Sequence, residues 1–107
     1  MRFENVAIVS VEHVDAPIRV TSEEIEERLR PTMDRLRMPP NLLRELSGIE
    51  ARRWWEEGVV PSDAAGMAGR KALEVAGLDP RAIGVLVNTS VCRDFVEPST
   101  ACIAHHK

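Results

Sequence analysis

The sequence predicts an α/β layered fold, because short apolar segments and helical patterns follow one another along the chain. The two clearest apolar segments are residues 3–11 and 83–87, and polar or turn-forming residues bound each of them. Between them lie capped helical patterns, of which the clearest covers residues 62–76. Elements in this order are typical of a sheet covered by helices. Two strands make a poor sheet, so we expect the first portion of a larger fold, incomplete as a stand-alone domain.

The bulk composition excludes several classes of protein. Of the 107 residues, 44% are hydrophobic and 29% are charged, which is typical of a folded globular domain and not of a disordered one. The net charge is -3 and no basic cluster exceeds Arg52-Arg53, so nothing indicates nucleic-acid binding. No apolar stretch reaches the roughly 20 residues of a membrane span, and the N-terminus lacks the pattern of a signal peptide. Cys92 and Cys102 therefore predict free thiols in the cytoplasm, without a disulfide or a zinc site.

The first third of the chain predicts one strand and one long helix. Residues 3–11 are apolar at most positions, which predicts a strand with both faces covered, and residues 13–19 predict a loop. Thr21 and Glu24 fit a capping box at the start of a helix, whose apolar positions recur at helical spacing. Pro31 interrupts this pattern and should kink or split the helix.

The middle of the chain predicts a short helix and an extended segment. Residues 41–46 have helical character, and Gly48 follows them as the glycine that commonly ends a helix. Residues 49–55 fit an extended segment, and residues 56–58 fit a turn.

The last part of the chain predicts a long helix, a strand and a final helix. Ser62 is the expected N-cap of the long helix, which Gly77 ends. Small residues recur along this helix and predict a close packing surface: Ala65, Ala68, Ala72 and Ala76. Asp79-Pro80 predicts a short helical turn, residues 83–87 a buried strand, and Pro98 the first position of the final helix.

One carboxylate stands out on the polar loop between that strand and the final helix. Glu97 lies directly before Pro98, at the kind of strand-to-helix junction where α/β enzymes place chemistry. A different explanation is that an acidic side chain here stabilises the helix N-terminus through the helix dipole. The spacing alone leaves both explanations open.

Other chemistry-bearing residues favour ordinary structural roles. Cys92 and Cys102 are more typical of small packing residues than of nucleophiles. His105-His106 occupy adjacent helical positions, which face different directions and suit no shared metal ion. Trp54-Trp55 next to Arg52-Arg53 fit either the stacking of an aromatic ring or a hydrophobic anchor at a surface.

Four segments, taken in order along the chain, resemble the β-ketoacyl-ACP synthase III branch of the thiolase superfamily. Residues 47–53 resemble the segment that follows the first helices, and residues 62–78 resemble the long helix. Residues 83–90 resemble the strand behind that helix, and residues 98–102 resemble the next helix start. The resemblance implies that residues 1–107 are the N-terminal segment of the first half of a thiolase-like αβαβα layered fold, the remainder of which is absent from this chain.

Within that branch, residues 93–101 resemble the long-chain acyl-CoA condensing enzymes of olefin and β-lactone biosynthesis, which join two fatty acyl chains head to head. The resemblance implies that Glu97 is a catalytic base acting on substrate bound in the partner subunit. It places Phe95 and Val96 beside it as substrate-binding residues. A carboxyl group enclosed by the apolar walls of an acyl channel would have its pKa raised towards the range useful for a base.

The resemblance also implies an acyltransferase that performs a Claisen condensation. Its substrates would be acyl-CoA or acyl-ACP, with no covalently bound cofactor and no metal. The catalytic cysteine would lie outside this chain, in the rest of the enzyme, and the assembly would be a homodimer or heterodimer. The resemblance aligns Leu42 and Leu46 with the Trp and Arg that hold the CoA adenine in typical synthase III enzymes. The resemblance therefore does not assign CoA contacts in this segment. The alternative is a non-catalytic truncated homologue that serves as a dimerisation or regulatory subunit.

Overall fold

The computed structural model describes residues 4–107, which form two compact units. One unit comprises residues 15–57, and the other comprises residues 4–14 together with residues 58–107. Both contain helices, and the unit of residues 15–57 also contains two strands.

The unit of residues 15–57 is built on a two-stranded antiparallel sheet. Strand β1 covers Ile18–Thr21 and strand β2 covers Ala51–Trp54, with Val20 opposite Arg52. The extended segment expected within residues 49–55 is therefore present as β2. The prediction of a loop over residues 13–19 is wrong for Ile18 and Arg19, which belong to β1 and pair with β2. Pairing across the sheet decides this, and residues 13–19 carry no local signal for it.

Helix α1 covers Ser22–Arg35 and follows β1 directly. Its predicted capping box is confirmed: the Glu24 amide donates to Thr21 Oγ1 at 3.1 Å, and the Thr21 amide donates to Glu24 Oε2 at 2.6 Å. Pro31 lies inside the helix and does not split it. A proline removes one amide donor, and here the buried Met33 one half-turn later holds the following turn against the unit's interior.

Helix α2 covers Leu42–Ser47 and ends at Gly48, whose φ of 67° is the left-handed conformation that glycine adopts easily. The N-terminus of α2 is satisfied by a side chain from α1. Glu26 Oε2 accepts from the Asn41 amide and Glu26 Oε1 accepts from the Leu43 amide, both at 2.7 Å. The Glu26 side chain is buried by this arrangement and ties the two helices together.

Helix α3 covers Pro61–Ala76 in the other unit, and Gly77 ends it as expected. Its N-cap is Val60 rather than Ser62, which is the second residue of the helix. The Val60 amide donates instead to Asp63 Oδ2 at 3.1 Å, so the helix start is stabilised from inside its first turn.

The chain after α3 forms a 3₁₀ turn over Pro80–Ala82, as predicted, and then a final helix. Helix α4 covers Thr100–His106 with Ser99 as its N-cap. Pro98 therefore precedes the helix and does not occupy its first position. The hydroxyl of Ser99 accepts from the Cys102 amide at 3.4 Å, a capping contact that proline cannot offer.

The two strands predicted in this unit are not formed. Phe3 lies outside the described residues, and residues 4–11 and 83–87 have no ladder partner within the described chain. The prediction that residues 83–87 are buried is also wrong, since Val85 and Val87 are 79% and 76% exposed. A strand needs a neighbour for its backbone hydrogen bonds, and the apolar pattern alone cannot supply one.

The buried apolar side chains lie in the unit of residues 15–57: Ala16, Val20 and Met33. In the other unit, the buried residues among those described are small or polar, namely Ser62, Gly66 and Thr100. They mark the place where α3 packs against α4.

Candidate functional site

The candidate site is the irregular segment of residues 84–98, which leads into α4. Glu97 is exposed on this segment and is joined to Pro98 by a cis peptide bond. Phe95 and Val96 precede it and are 62% and 79% exposed. The structure therefore presents a carboxylate next to two accessible apolar side chains on one short stretch of chain.

Asp94 fixes the start of this stretch. Its Oδ1 accepts from the Ser62 amide at 3.0 Å, across 32 positions of sequence. Ser62 is the second residue of α3, and its amide is one of the first-turn donors that a helix cannot satisfy internally. A carboxylate at this position also meets the positive end of the helix dipole.

The end of the stretch is fixed by α4. Thr100, the first residue of the helix, is only 6% exposed, and Ser99 caps the helix. Glu97 thus lies midway between two anchors, three residues after Asp94 and three residues before Thr100. A short tether on each side leaves the chain fewer conformations than a long free loop would have.

Buried hydroxyl groups lie at both anchors. Ser62 is fully buried, and the Oγ of Ser62 and Oγ1 of Thr100 have no hydrogen-bond partner within residues 4–107. The helix starts of α3 and α4 are therefore the most enclosed part of this unit.

The far end of α4 returns to α3. Lys107 Nζ contacts Asp63 Oδ1 at 2.5 Å, and Arg70 Nη1 donates to the Lys107 carbonyl at 2.9 Å. The hydrogen bond from Lys107, followed by that from the Val60 amide, lowers the pKa of Asp63 below its ordinary value. These contacts hold α4, and with it the C-terminal anchor of the Glu97 loop, against α3.

A cleft of about 620 Å³ opens beside α3 in the same unit. Three of the four alanines of the predicted small-residue stripe line it, together with apolar residues of the segments that were expected to be strands: Ala65, Ala72, Ala76, Ile8, Val9, Ile83, Val85 and Leu86. His105 and His106 also line the cleft. The small-residue face of α3 is therefore open within the described chain.

The remaining sequence candidates do not join Glu97. Cys92 and Cys102 are free and exposed thiols. In the other unit, the guanidinium of Arg28 lies 5.2 Å from the centre of the Trp54 ring, so the cation–π partner of Trp54 comes from α1 rather than from Arg52-Arg53. Within residues 4–107 no cluster of three or more histidine, cysteine or acidic side chains is arranged to hold a metal ion.

No described helix has both the length and the apolar character required to cross a bilayer.

Sequence reasoning missed two carboxylates that organise the structure, Asp94 and Glu26. Both accept hydrogen bonds from the first backbone amides of a helix that is distant in sequence. An acidic residue outside a helix's own first turn carries no local capping pattern, so the sequence offers no signal for either role.

Comparison with known proteins gives close relatives. The chain is 52% identical over 103 residues to an acyl-CoA:acyl-CoA alkyltransferase of Xanthomonas campestris, covering 96% of this chain and 30% of the relative. A crystal structure of Xanthomonas campestris OleA with one glutamate replaced by aspartate matches with a TM-score of 0.89 and 50% identity, over 99% of this chain and 32% of that one. A 3-oxoacyl-(acyl carrier protein) synthase III, FabH, from Xanthomonas oryzae pv. oryzae matches with a TM-score of 0.90 and 53% identity, over 99% and 31%.

The chain thus spans about 30% of the length of the relatives it matches. Over that span it shares their thiolase-like α/β fold, as the sequence predicts. No protein-family model matches the chain.

Proposed function

We propose, from the premise that this chain is a homologue of the thiolase-like acyl-thioester condensing enzymes, that it forms part of an enzyme joining two acyl thioesters head to head. The relatives support the reaction class, since one of them is named for transfer between two acyl-CoA molecules. In this proposal residues 1–107 are the N-terminal segment of the first thiolase-like half. The observation that carries a catalytic role for this segment is the placement of Glu97, exposed and held between two anchors.

The proposed reaction is a Claisen condensation. A thiolate of the enzyme carries one acyl group as a thioester. The carbon next to the carbonyl of a second acyl thioester loses a proton to the Glu97 carboxylate, and the resulting carbanion attacks the carbonyl of the first acyl group. A carbon–carbon bond forms, the bond to the enzyme sulfur breaks, and the thiolate is released.

The thiolate is proposed to come from outside this chain. The resemblance places the nucleophilic cysteine at neither Cys92 nor Cys102, which are free and exposed thiols on either side of Glu97 in sequence. A nucleophilic cysteine requires an adjacent base or an electropositive setting to be deprotonated.

Phe95 and Val96 are proposed to contact an acyl chain. Exposed apolar side chains directly before the carboxylate suit a fatty acyl substrate whose reacting carbon lies beside Glu97. We further propose a dimer in which Glu97 serves the partner subunit's site, acyl-CoA or acyl-ACP as substrates without a bound cofactor, and a cytoplasmic location, where free cysteines persist.

The test is the substitution Glu97→Gln in the enzyme that contains this chain. Removal of a general base should lower condensation by about a hundredfold or more. Transfer of the first acyl group onto the enzyme cysteine needs no proton from carbon and should be unchanged. Acyl-enzyme is measured by intact mass, and the condensed product is measured separately.

The matched control is Glu56→Gln, which removes an exposed carboxylate from the other unit. It should leave both steps unchanged. Normal condensation by the Glu97→Gln variant would exclude Glu97 as the base and leave it with the helix-dipole role.

The second candidate function is that of a dimerisation or regulatory subunit without catalysis. The open cleft beside α3 and the exposed Val85 and Val87 favour it, because such a surface suits contact with another polypeptide. Intact mass of the purified material, with identification of any co-purifying polypeptide, separates the two. A partner that supplies the thiolate and restores condensation supports the enzyme.

A further inference from the structure

We infer that Asp94 is a positioning residue for Glu97, acting through its hydrogen bond to the first turn of α3. This inference rests on the proposed function and deepens it. The hydrogen bond from the Ser62 amide to Asp94 Oδ1 is 3.0 Å long and partly buried, and Asp94 lies three residues before Glu97.

The segment around Asp94 has little else to hold it. Across residues 84–98 the described structure shows only one further hydrogen bond, the local contact at 3.1 Å from the Ser90 amide to Asn88 Oδ1. The apolar side chains here do not anchor the segment either, since Val91, Phe95 and Val96 are 94%, 62% and 79% exposed. Asp94 is the one residue of the segment from 89 to 99 that is even partly buried.

The partner of Asp94 belongs to the helix pair of α3 and α4. Ser62 is fully buried on a helix of 16 residues, and α3 is also held to α4 through the contact between Asp63 and Lys107. Asp94 therefore ties the stretch before Glu97 to α3, and Thr100 ties the stretch after Glu97 to the same pair of helices, α3 and α4.

The size of the effect follows from the length of the free chain. With Asp94 bound, only residues 95–98 separate it from the cap of α4, and without it the free segment extends over residues 84–98. Because the probability of closing a loop falls with the three-halves power of its length, the local concentration of Glu97 at its working position should fall about sevenfold. Misplacement of the carboxylate by about 1 Å adds to this, so we expect condensation to fall by roughly ten- to a hundredfold.

The experiment compares Asp94→Ala, Asp94→Asn and Asp94→Glu in the enzyme that contains this chain. Asp94→Ala should lower kcat for condensation with little change in KM, and acylation of the enzyme cysteine should be unaffected. Asp94→Asn retains an oxygen that accepts from the Ser62 amide and should recover most of the activity. Asp94→Glu keeps the charge but moves the loop, and should resemble the alanine variant.

The matched control is Asp79→Ala. Asp79 also caps a helical turn in this unit, since its Oδ1 accepts from the Arg81 amide at 2.8 Å, but it lies outside the Glu97 segment. Condensation should be unchanged. The double variant Asp94→Ala with Glu97→Gln should be no slower than Glu97→Gln alone, because a residue that acts only through Glu97 has nothing left to position.

Three results would overturn the inference in distinguishable ways. If Glu97→Gln loses condensation and Asp94→Ala does not, Asp94 does not position the base and the proposed function stands. If the losses of the two variants multiply, or if acylation falls together with condensation, Asp94 acts on the fold in general. If Glu97→Gln condenses normally, the proposed function itself fails.

Discussion

The substitution Glu26→Ala should destabilise the unit of residues 15–57 more than any other single removal of a carboxylate. Both Glu26 oxygens accept from backbone amides of the α2 start at 2.7 Å, and the side chain is buried. A hydrogen bond to a charged group contributes about 1.5–3 kcal/mol. Asn41 is exposed, so its amide can bond to water in the variant, and the loss of free energy is smaller than the sum of two such hydrogen bonds. We therefore expect a loss of about 2–4 kcal/mol, above the usual range for losing a single helix cap.

Two companion variants sharpen this prediction. Glu26→Gln keeps one oxygen as an acceptor but turns its NH₂ group towards the second backbone amide. It should therefore lower the free energy of unfolding by about half as much as Glu26→Ala does. Glu27→Gln is the control, because the neighbouring Glu27 makes only an exposed contact with Arg30 at 2.6 Å, of a kind that contributes about 0–1 kcal/mol.

Urea unfolding measures the difference. In the enzyme that contains this chain, the shift of the urea midpoint multiplied by the measured slope gives the loss in free energy of unfolding, which should be about 2–4 kcal/mol for Glu26→Ala. Hydrogen exchange should accelerate at the Asn41 and Leu43 amides in particular. A midpoint equal to that of Glu27→Gln, or unchanged exchange at these two amides, would refute the assignment of Glu26 as the cap of α2.

Two further predictions concern the other unit. Lys107 and the Val60 amide lower the pKa of Asp63, so the contribution of Asp63 to stability is fully present above the ordinary pKa of aspartate and is lost as pH falls through the lowered value. Lys107→Ala should raise the pKa of Asp63 towards its ordinary value in an NMR titration. An unshifted titration would contradict the contact between Lys107 and Asp63. Residues 1–107 expressed by themselves should associate and bind a hydrophobic dye, because apolar side chains such as Ile8, Val85 and Val87 are exposed; sedimentation as a monomer with one cooperative melt would contradict this.

The sequence by itself determined the features that depend on a few neighbouring residues. The capping box of Thr21, the glycine ends of α2 and α3 and the turn at Pro80 all follow from local backbone chemistry, and each is present. The resemblance inferred from the motif residues is confirmed by relatives that match nearly the whole of this chain, over about 30% of their own length. Glu97 as the base and its two apolar neighbours as substrate contacts remain predictions.

Tertiary structure decided what depends on a distant partner. Residues 83–87 have the composition of a buried strand, yet no strand forms without a neighbour to accept its hydrogen bonds. The pairing of β1 with β2 brings together segments about thirty positions apart, and α1 continues through Pro31. The contacts of Asp94 with α3 and of Glu26 with α2 span 32 and 15 positions. The local sequence does not show whether a carboxylate faces water or caps a distant helix, because only folding brings the unsatisfied amides of that helix close to it.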